Sequence, residues 1–130
     1  MRRTIYRSAD IDWQAPTGPG TDPNAARAAA EVGVGRKYLA RGDAGFFTQM
    51  VRFPPGFAAP AHSHDHAEVF MVLEGSCTFD DEPMARFDLA VVEADQPYSF
   101  TAGPDGLSFL VVRQGRAAYS DTDTNAEATS

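Results

Sequence analysis

Residues 56 to 75 read GFAAPAHSHDHAEVFMVLEG and contain all three histidines of the chain, His62, His64 and His66, on alternate positions, with Glu68 following. Successive side chains of an extended strand point to opposite faces, so one straight strand would turn positions 62, 64, 66 and 68 the same way. If SHDHA is instead a turn, His62 and His64 end one strand and Glu68 opens the next, opposite them. Either geometry brings His62, His64 and Glu68 together. Neutral imidazole nitrogens and a carboxylate oxygen suit a first-row divalent metal, and two histidines with one carboxylate leave positions open for substrate or oxygen. The competing expectation is a polar surface loop whose histidines are simply solvated.

The flanking glycines add to the spacing. Gly56, His62, His64, Glu68 and Gly75 fill every fixed position of the pattern G(X)5HXH(X)3–4E(X)6G. This stretch closely resembles the first motif of the cupin superfamily, and the PPG before it and AEVFMVLEG after it resemble the small single-domain members. More loosely, the resemblance extends over residues 45 to 114. It implies a six- to eight-stranded jelly-roll barrel whose histidines and glutamate point into the cavity and hold Fe, Mn, Zn, Ni, Co or Cu. In that family the turn form of SHDHA is the usual one.

The second motif of the family, G(X)5PXG(X)2H(X)3N, is where the chain departs. Aligning PYSF with the family's PHSF puts Phe87, Glu93, Asp95, Tyr98 and Ala102 at its five fixed positions, and none matches. Tyr98 therefore stands where the fourth protein ligand would be. Three roles are open to it: a phenolate ligand, which needs a metal to acidify a phenol of pKa near 10; a neutral phenol that donates a hydrogen bond or a proton; or a barrel-filling residue. His66, in the turn itself, could replace the missing ligand, but a histidine there is more often at the rim, where it could act as an acid or base.

A site of His62, His64 and Glu68 alone resembles the facial triad of non-haem Fe(II) oxygenases. Dioxygenase chemistry on a small enol or catechol-like molecule is the first functional expectation. The same site with Zn or Mn would serve an isomerase, lyase, decarboxylase or cyclase. A third expectation, from another class, is a non-catalytic barrel that binds or senses a small molecule, because the second motif has degenerated. Gln49 and Arg52, in FFTQMVRF, are substrate-binding candidates on opposite faces of a strand, so at most one faces the cavity. Phe70 and Phe100 are candidate cavity walls, although they, with Phe47 and Phe53, suit the core at least as well.

Positioning such a site requires strands. Short runs rich in Val, Phe, Thr and Tyr, separated by Gly, Pro and Asp clusters, predict strands near 36–40, 45–53, 58–64, 68–74, 76–80, 84–87, 89–93, 97–101 and 107–114. Turns are expected at RGD, PPG, DDEP and GPDG. No crossover helices are available for a parallel sheet, so the expected fold is an all-β, antiparallel jelly-roll barrel. Residues 14 to 26 carry Pro16, Gly18, Pro19, Gly20 and Pro23 and read as an arm or loop. AARAAAEVG could form a short helix stopped by Gly33. Three regions result: an arm over 1–35 packing on the barrel or on a partner subunit, the barrel over 36–118, and a small, polar, acidic tail over 119–130 expected to be disordered.

The 130 residues carry a formal charge of −7, which gives no positive field to collect nucleic acid or anionic lipid. No apolar run is long enough to span a bilayer, and Arg2, Arg3 and Arg7 lead into no signal-peptide core, so a soluble, cytoplasmic protein is expected. The single cysteine, Cys77, excludes an internal disulfide and reads as a small buried residue rather than a nucleophile. Ile5, Tyr6, Ile11 and Trp13 are too apolar to leave in water. They are expected to pack across the barrel or onto a second subunit, and small cupins commonly form homodimers, which cover strand edges.

Overall fold

Every strand pairing in the computed structural model, which describes residues 2–15, 23–115 and 119–121, is antiparallel. A short helix α1 (Pro23–Glu31) precedes eight strands: β1 (Gly35–Arg41), β2 (Phe46–Phe53), β3 (Ala58–His64), β4 (Glu68–Phe79), β5 (Glu82–Ala85), β6 (Leu89–Val92), β7 (Tyr98–Gln114) and β8 (Tyr119–Asp121). The expected all-β jelly-roll architecture is what the chain adopts.

Strand β7 organises the barrel. Its first part pairs with β3 and with the far end of β4, whereas its second part lies between β2 and the near end of β4. One strand thereby touches every element that carries a candidate site residue. Between its two parts lies GPDG, expected as a turn but found inside the strand. The reason is a matched irregularity in β4, where the register shifts between Val72 and Glu74 and again between Gly75 and Cys77. Gly75, at φ +74°, lets the Gly106 carbonyl come so near that a side-chain carbon at 75 would lie 2.0 Å from its oxygen. Bulged in this way, both strands bend without losing their pairing. The two pairs of short strands expected at 68–74 with 76–80, and 97–101 with 107–114, are thus one long strand each.

The other turns follow their residues. Asp80 and Asp81 both take positive φ, 47° and 67°, in a two-residue hairpin between β4 and β5. Gly42 at φ 122° leads into a single 3-10 turn, Asp43–Gly45, and Gly56 at φ +74° closes the PPG turn.

Inward side chains of the strands form one core, with Phe70 and Val72 fully buried and Phe79, Phe100, Phe109 and Val111 around them. The Phe70 ring stacks on Phe109 with centroids 4.4 Å apart, and Phe79 stacks on Tyr98 at 5.2 Å. Cys77 is buried in this core, as its setting in GSCTF predicted, and burial pushes its thiol up to about 11.

At the N-terminal end, two cations of the sheet lie over the Trp13 ring, Lys37 Nζ at 4.8 Å and Arg52 Cζ at 4.6 Å from its centroid. Gln14 and Arg36 exchange backbone hydrogen bonds, the Lys37 ammonium donates to the Ser8 carbonyl at 2.8 Å, and the Tyr6 hydroxyl donates to Asp43 at 2.6 Å. Tyr6, Ser8, Trp13 and Gln14 therefore lie against β1, β2 and the turn between them in their own chain. Two expectations need correction. The helix begins at Pro23, inside the stretch read as loop, because proline is compatible with a first helical turn, where its missing N–H is not needed. The tail read as disordered from residue 119 opens with β8, which pairs with His62, Ser63 and His64 and so uses the free edge of β3; residues 122–130 lie outside the described ones.

Candidate functional site

The turn form of SHDHA is the one adopted. His62 and His64 end β3, Asp65–Ala67 make the connection, and Glu68 opens β4. Backbone pairing then fixes two cross-strand neighbours on β7: Tyr98 stands opposite His62, and Arg113 opposite Glu68. Gln49 enters from β2, which flanks the second half of β7. Gln49, His62, His64, Tyr98, Phe100 and Arg113 all line a cavity of about 190 Å³ inside the barrel, with Phe53 and Phe109 among its aromatic walls.

Glu68 does not itself line the cavity; it is more enclosed than any of these groups, at 2% exposure, and both its oxygens are engaged. The Tyr98 hydroxyl donates to Oε1, while the Arg113 Nε–H donates to Oε2 at 2.7 Å. Arg113 itself is 6% exposed, so this is a buried, charge-assisted pair. Its guanidinium reaches further, with Nη2 lying 3.3 Å from His64 Nε2. An arginine can only donate, so this contact needs the lone pair on Nε2 and assigns the His64 proton to Nδ1. His62 places Nδ1 at 2.9 Å from the Pro60 carbonyl, which can only accept; Nδ1 is therefore the protonated nitrogen of that ring. The His62 ring lies edge-on to His64 at 5.2 Å and 4.5 Å from the Tyr98 ring.

These donors have the chemistry of a divalent-metal site, but their arrangement does not fit one. The carboxylate that should bind metal is held by a fixed cation and a phenol, and the imidazole lone pair of His64 faces the same cation. Among the described residues, no three of His, Cys, Asp and Glu converge closely enough to hold a metal ion.

Other candidates are sorted by the fold. Gln49 faces inward, 3% exposed, and its Oε1 is buried without a hydrogen-bond partner among the described residues. Arg52 is not a substrate-binding residue of this cavity: strand alternation turns it outward, where it is exposed and stacks on Trp13. Phe70 does not line the cavity either, because it is wholly enclosed by Phe79, Phe100 and Phe109. His66 stays on the connecting loop, its Nδ1 at 2.8 Å from the Asp65 carboxylate, away from the cavity lining.

Arg113 was not singled out from the sequence. A sign of it was available, because Leu107, Phe109 and Val111 alternate along the strand and Arg113 continues their inward-facing series. A charge on that face calls for a buried partner.

The comparisons with known proteins agree with this fold. A family model described as the ChrR cupin-like domain matches residues 21–118. Among solved structures, an RmlC-like cupin protein from Ralstonia eutropha JMP134 superposes with a TM-score of 0.71 at 16% identity, over 98% of this chain and 78% of that one. The polyketide cyclase RemF from Streptomyces resistomycificus gives 0.68 at 20% identity, over 95% of this chain and 87% of that one. The complex of Rhodobacter sphaeroides SigE with the anti-sigma ChrR gives 0.62 at 19% identity, over 82% of this chain and 51% of the matched chain, so this chain spans about half of that one. No curated protein sequence matches. At these identities the structural likenesses establish the fold, and the family model extends over about three quarters of the sequence: the chain belongs to the cupin superfamily, in the ChrR cupin-like family.

Proposed function

We propose that this cupin is a binding module for a small, polar, flat organic molecule, held in the barrel between Gln49 and the aromatic walls. The observation that carries the reading is the buried Oε1 of Gln49, without a hydrogen-bond partner among the described residues, on a cavity of about 190 Å³. Leaving such an acceptor unsatisfied costs about 1–3 kcal/mol, which a ligand N–H or O–H would recover. The cavity is smaller than the roughly 300 Å³ at which pockets for drug-sized ligands begin, so the ligand is the size of a single substituted ring. Phe53, Phe100 and Phe109 supply apolar faces for it, and His62 and Tyr98 supply polar edges. A family named for a domain of an anti-sigma protein suits binding as the primary role.

The test is calorimetric titration with phenol and catechol as probes. Measurable binding is expected, and Gln49→Met, which keeps the volume but loses the acceptor, should weaken it at least tenfold. Binding unchanged in Gln49→Met, or none of either probe by the wild type, would overturn the reading.

A second reading is metal-dependent catalysis at His62, His64 and Glu68, as an iron dioxygenase or as a Zn or Mn isomerase, lyase, decarboxylase or cyclase. The adjacency of the His62 and His64 rings beside Tyr98 favours it. It requires Glu68 to leave Arg113. Metal content of protein prepared without chelator, followed by oxygen uptake with catechol, decides it.

The homodimer expected for small cupins belongs to the same proposal. Leu89 and Val91 on β6, with Phe87 in the turn before it, are exposed apolar side chains, Val91 68% exposed, and a second copy would cover them. Light scattering should give a dimer in the wild type and a monomer in Val91→Glu. A monomeric wild type would remove this part.

A further inference from the structure

The residue that holds Glu68 has the sign of charge a metal would have. We infer that the Arg113 guanidinium takes the electrostatic place of the metal ion in this barrel, and that the histidine and carboxylate positions of the first motif here form a metal-excluding, internally neutralised cluster.

A carboxylate at 2% exposure requires a positive partner, because an ion taken from water into a low-dielectric interior otherwise loses its solvation with nothing in return. A divalent ion supplies that charge in a metal-bound cupin; here Arg113 supplies it through Nε at 2.7 Å. Directionality adds a second constraint. The fork of the guanidinium also reaches His64 Nε2, with Nη2 at 3.3 Å, so one side chain occupies both the carboxylate oxygen and the imidazole lone pair that a metal would need. Tyr98 completes the set by donating to the other carboxylate oxygen from the position where the family's pattern carries its fourth ligand. A metal entering here must displace a buried guanidinium, and must then sit beside it. Coulomb repulsion between the two opposes binding throughout.

The position of Arg113 is fixed by the fold and not by a flexible side chain on a loop. Its residue is the register partner of Glu68 on one side and of Phe47 on the other, in the middle of the sheet. The cation's place is independent of what fills the cavity: a protein that binds no phenol would still refuse metal, and one that binds metal could still use Gln49.

The experiment titrates chelator-treated, untagged protein with Co(II), read by its visible d–d absorption and by calorimetry. The wild type is expected to develop no stoichiometric site at micromolar concentrations. Arg113→Met, which keeps the volume and removes the charge, should bind at least tenfold more tightly, and the gain should vanish in Arg113→Met/Glu68→Gln. A wild type that takes up one equivalent of Co(II), with the uptake lost in Glu68→Gln, would overturn the inference, as would a folded Arg113→Met that binds no better than the wild type. A measurement on the wild type alone does not depend on any variant folding: proton–nitrogen correlation spectra of the imidazoles should show His64 protonated on Nδ1, with its Nε2 resonance unmoved by added zinc. A zinc-dependent shift of that resonance would equally overturn it.

Discussion

Arg113 and Glu68 face each other across β7 and β4 as register partners, with the guanidinium Nε 2.7 Å from Oε2 and both side chains withdrawn from water. Removing one member of such a pair leaves an uncompensated buried charge, whereas replacing both by apolar groups leaves none. Glu68→Leu and Arg113→Met should therefore each destabilise the fold by about 3–5 kcal/mol, while the double variant should lose far less than the sum. Urea unfolding of the four proteins measures this. Additive losses would mean that the two side chains do not sense each other.

The close approach of β4 to β7 makes a second prediction. Alanine at Gly75 would place its side-chain carbon against the Gly106 carbonyl oxygen and must also adopt φ +74°. A loss of at least about 2 kcal/mol is expected. Gly56 has the same φ but open space around it, so Gly56→Ala should cost only the conformational part, about 1–2 kcal/mol. Equal midpoints for the two variants in thermal unfolding would contradict the packing argument.

Cys77 gives a pH dependence of defined sign. Its thiol is raised by burial from 9.0 to about 11, so between these values the unfolded chain has released a proton that the folded one keeps. Its contribution to stability is constant below about pH 9 and falls as pH rises from there to about 11. The stability difference between wild type and Cys77→Ala should shrink across that window and stay level at lower pH. Alkylation by iodoacetamide at pH 8 should be slow in the folded protein and fast once urea unfolds it.

Trp13 is the single tryptophan of the chain and reports directly on its own contacts. Each of the two cations over its ring is worth about 0.5–1 kcal/mol at a partly exposed site. Arg52→Ala should shift the fluorescence maximum to the red and speed proteolysis before α1, with stability lowered by about 1 kcal/mol. An unshifted spectrum would mean that the ring is held by other contacts.

Much of this fold is legible in the sequence because strand alternation and turn chemistry are local. The run from Ala58 to His64, the SHDHA connection and the Asp80–Asp81 hairpin follow from residue types alone. The continuity of β4 through Gly75 and of β7 through GPDG was not legible, because it depends on two glycines far apart in sequence meeting in space. At the site, His62, His64, Glu68, Tyr98 and Gln49 could be named from motif and alternation, and Arg52 was separable from Gln49 by face. What could not be read was the state of Glu68. A motif specifies donors, but a carboxylate's partner is chosen by cross-strand register, and the register that sets Arg113 opposite Glu68 is a property of the closed sheet.

The two side chains that donate to Glu68 among the described residues, Tyr98 and Arg113, belong to the same strand, β7, one near each end. Both contacts that hold this carboxylate among the described residues are therefore encoded in one continuous segment of the chain. Exchanging that segment for the corresponding strand of a relative with a histidine at position 98 and an apolar residue at 113 would convert both contacts in a single step, leaving β2, β3 and β4 as they are. The barrel thus keeps His62, His64 and Glu68 on two strands and the groups that govern their availability on a third.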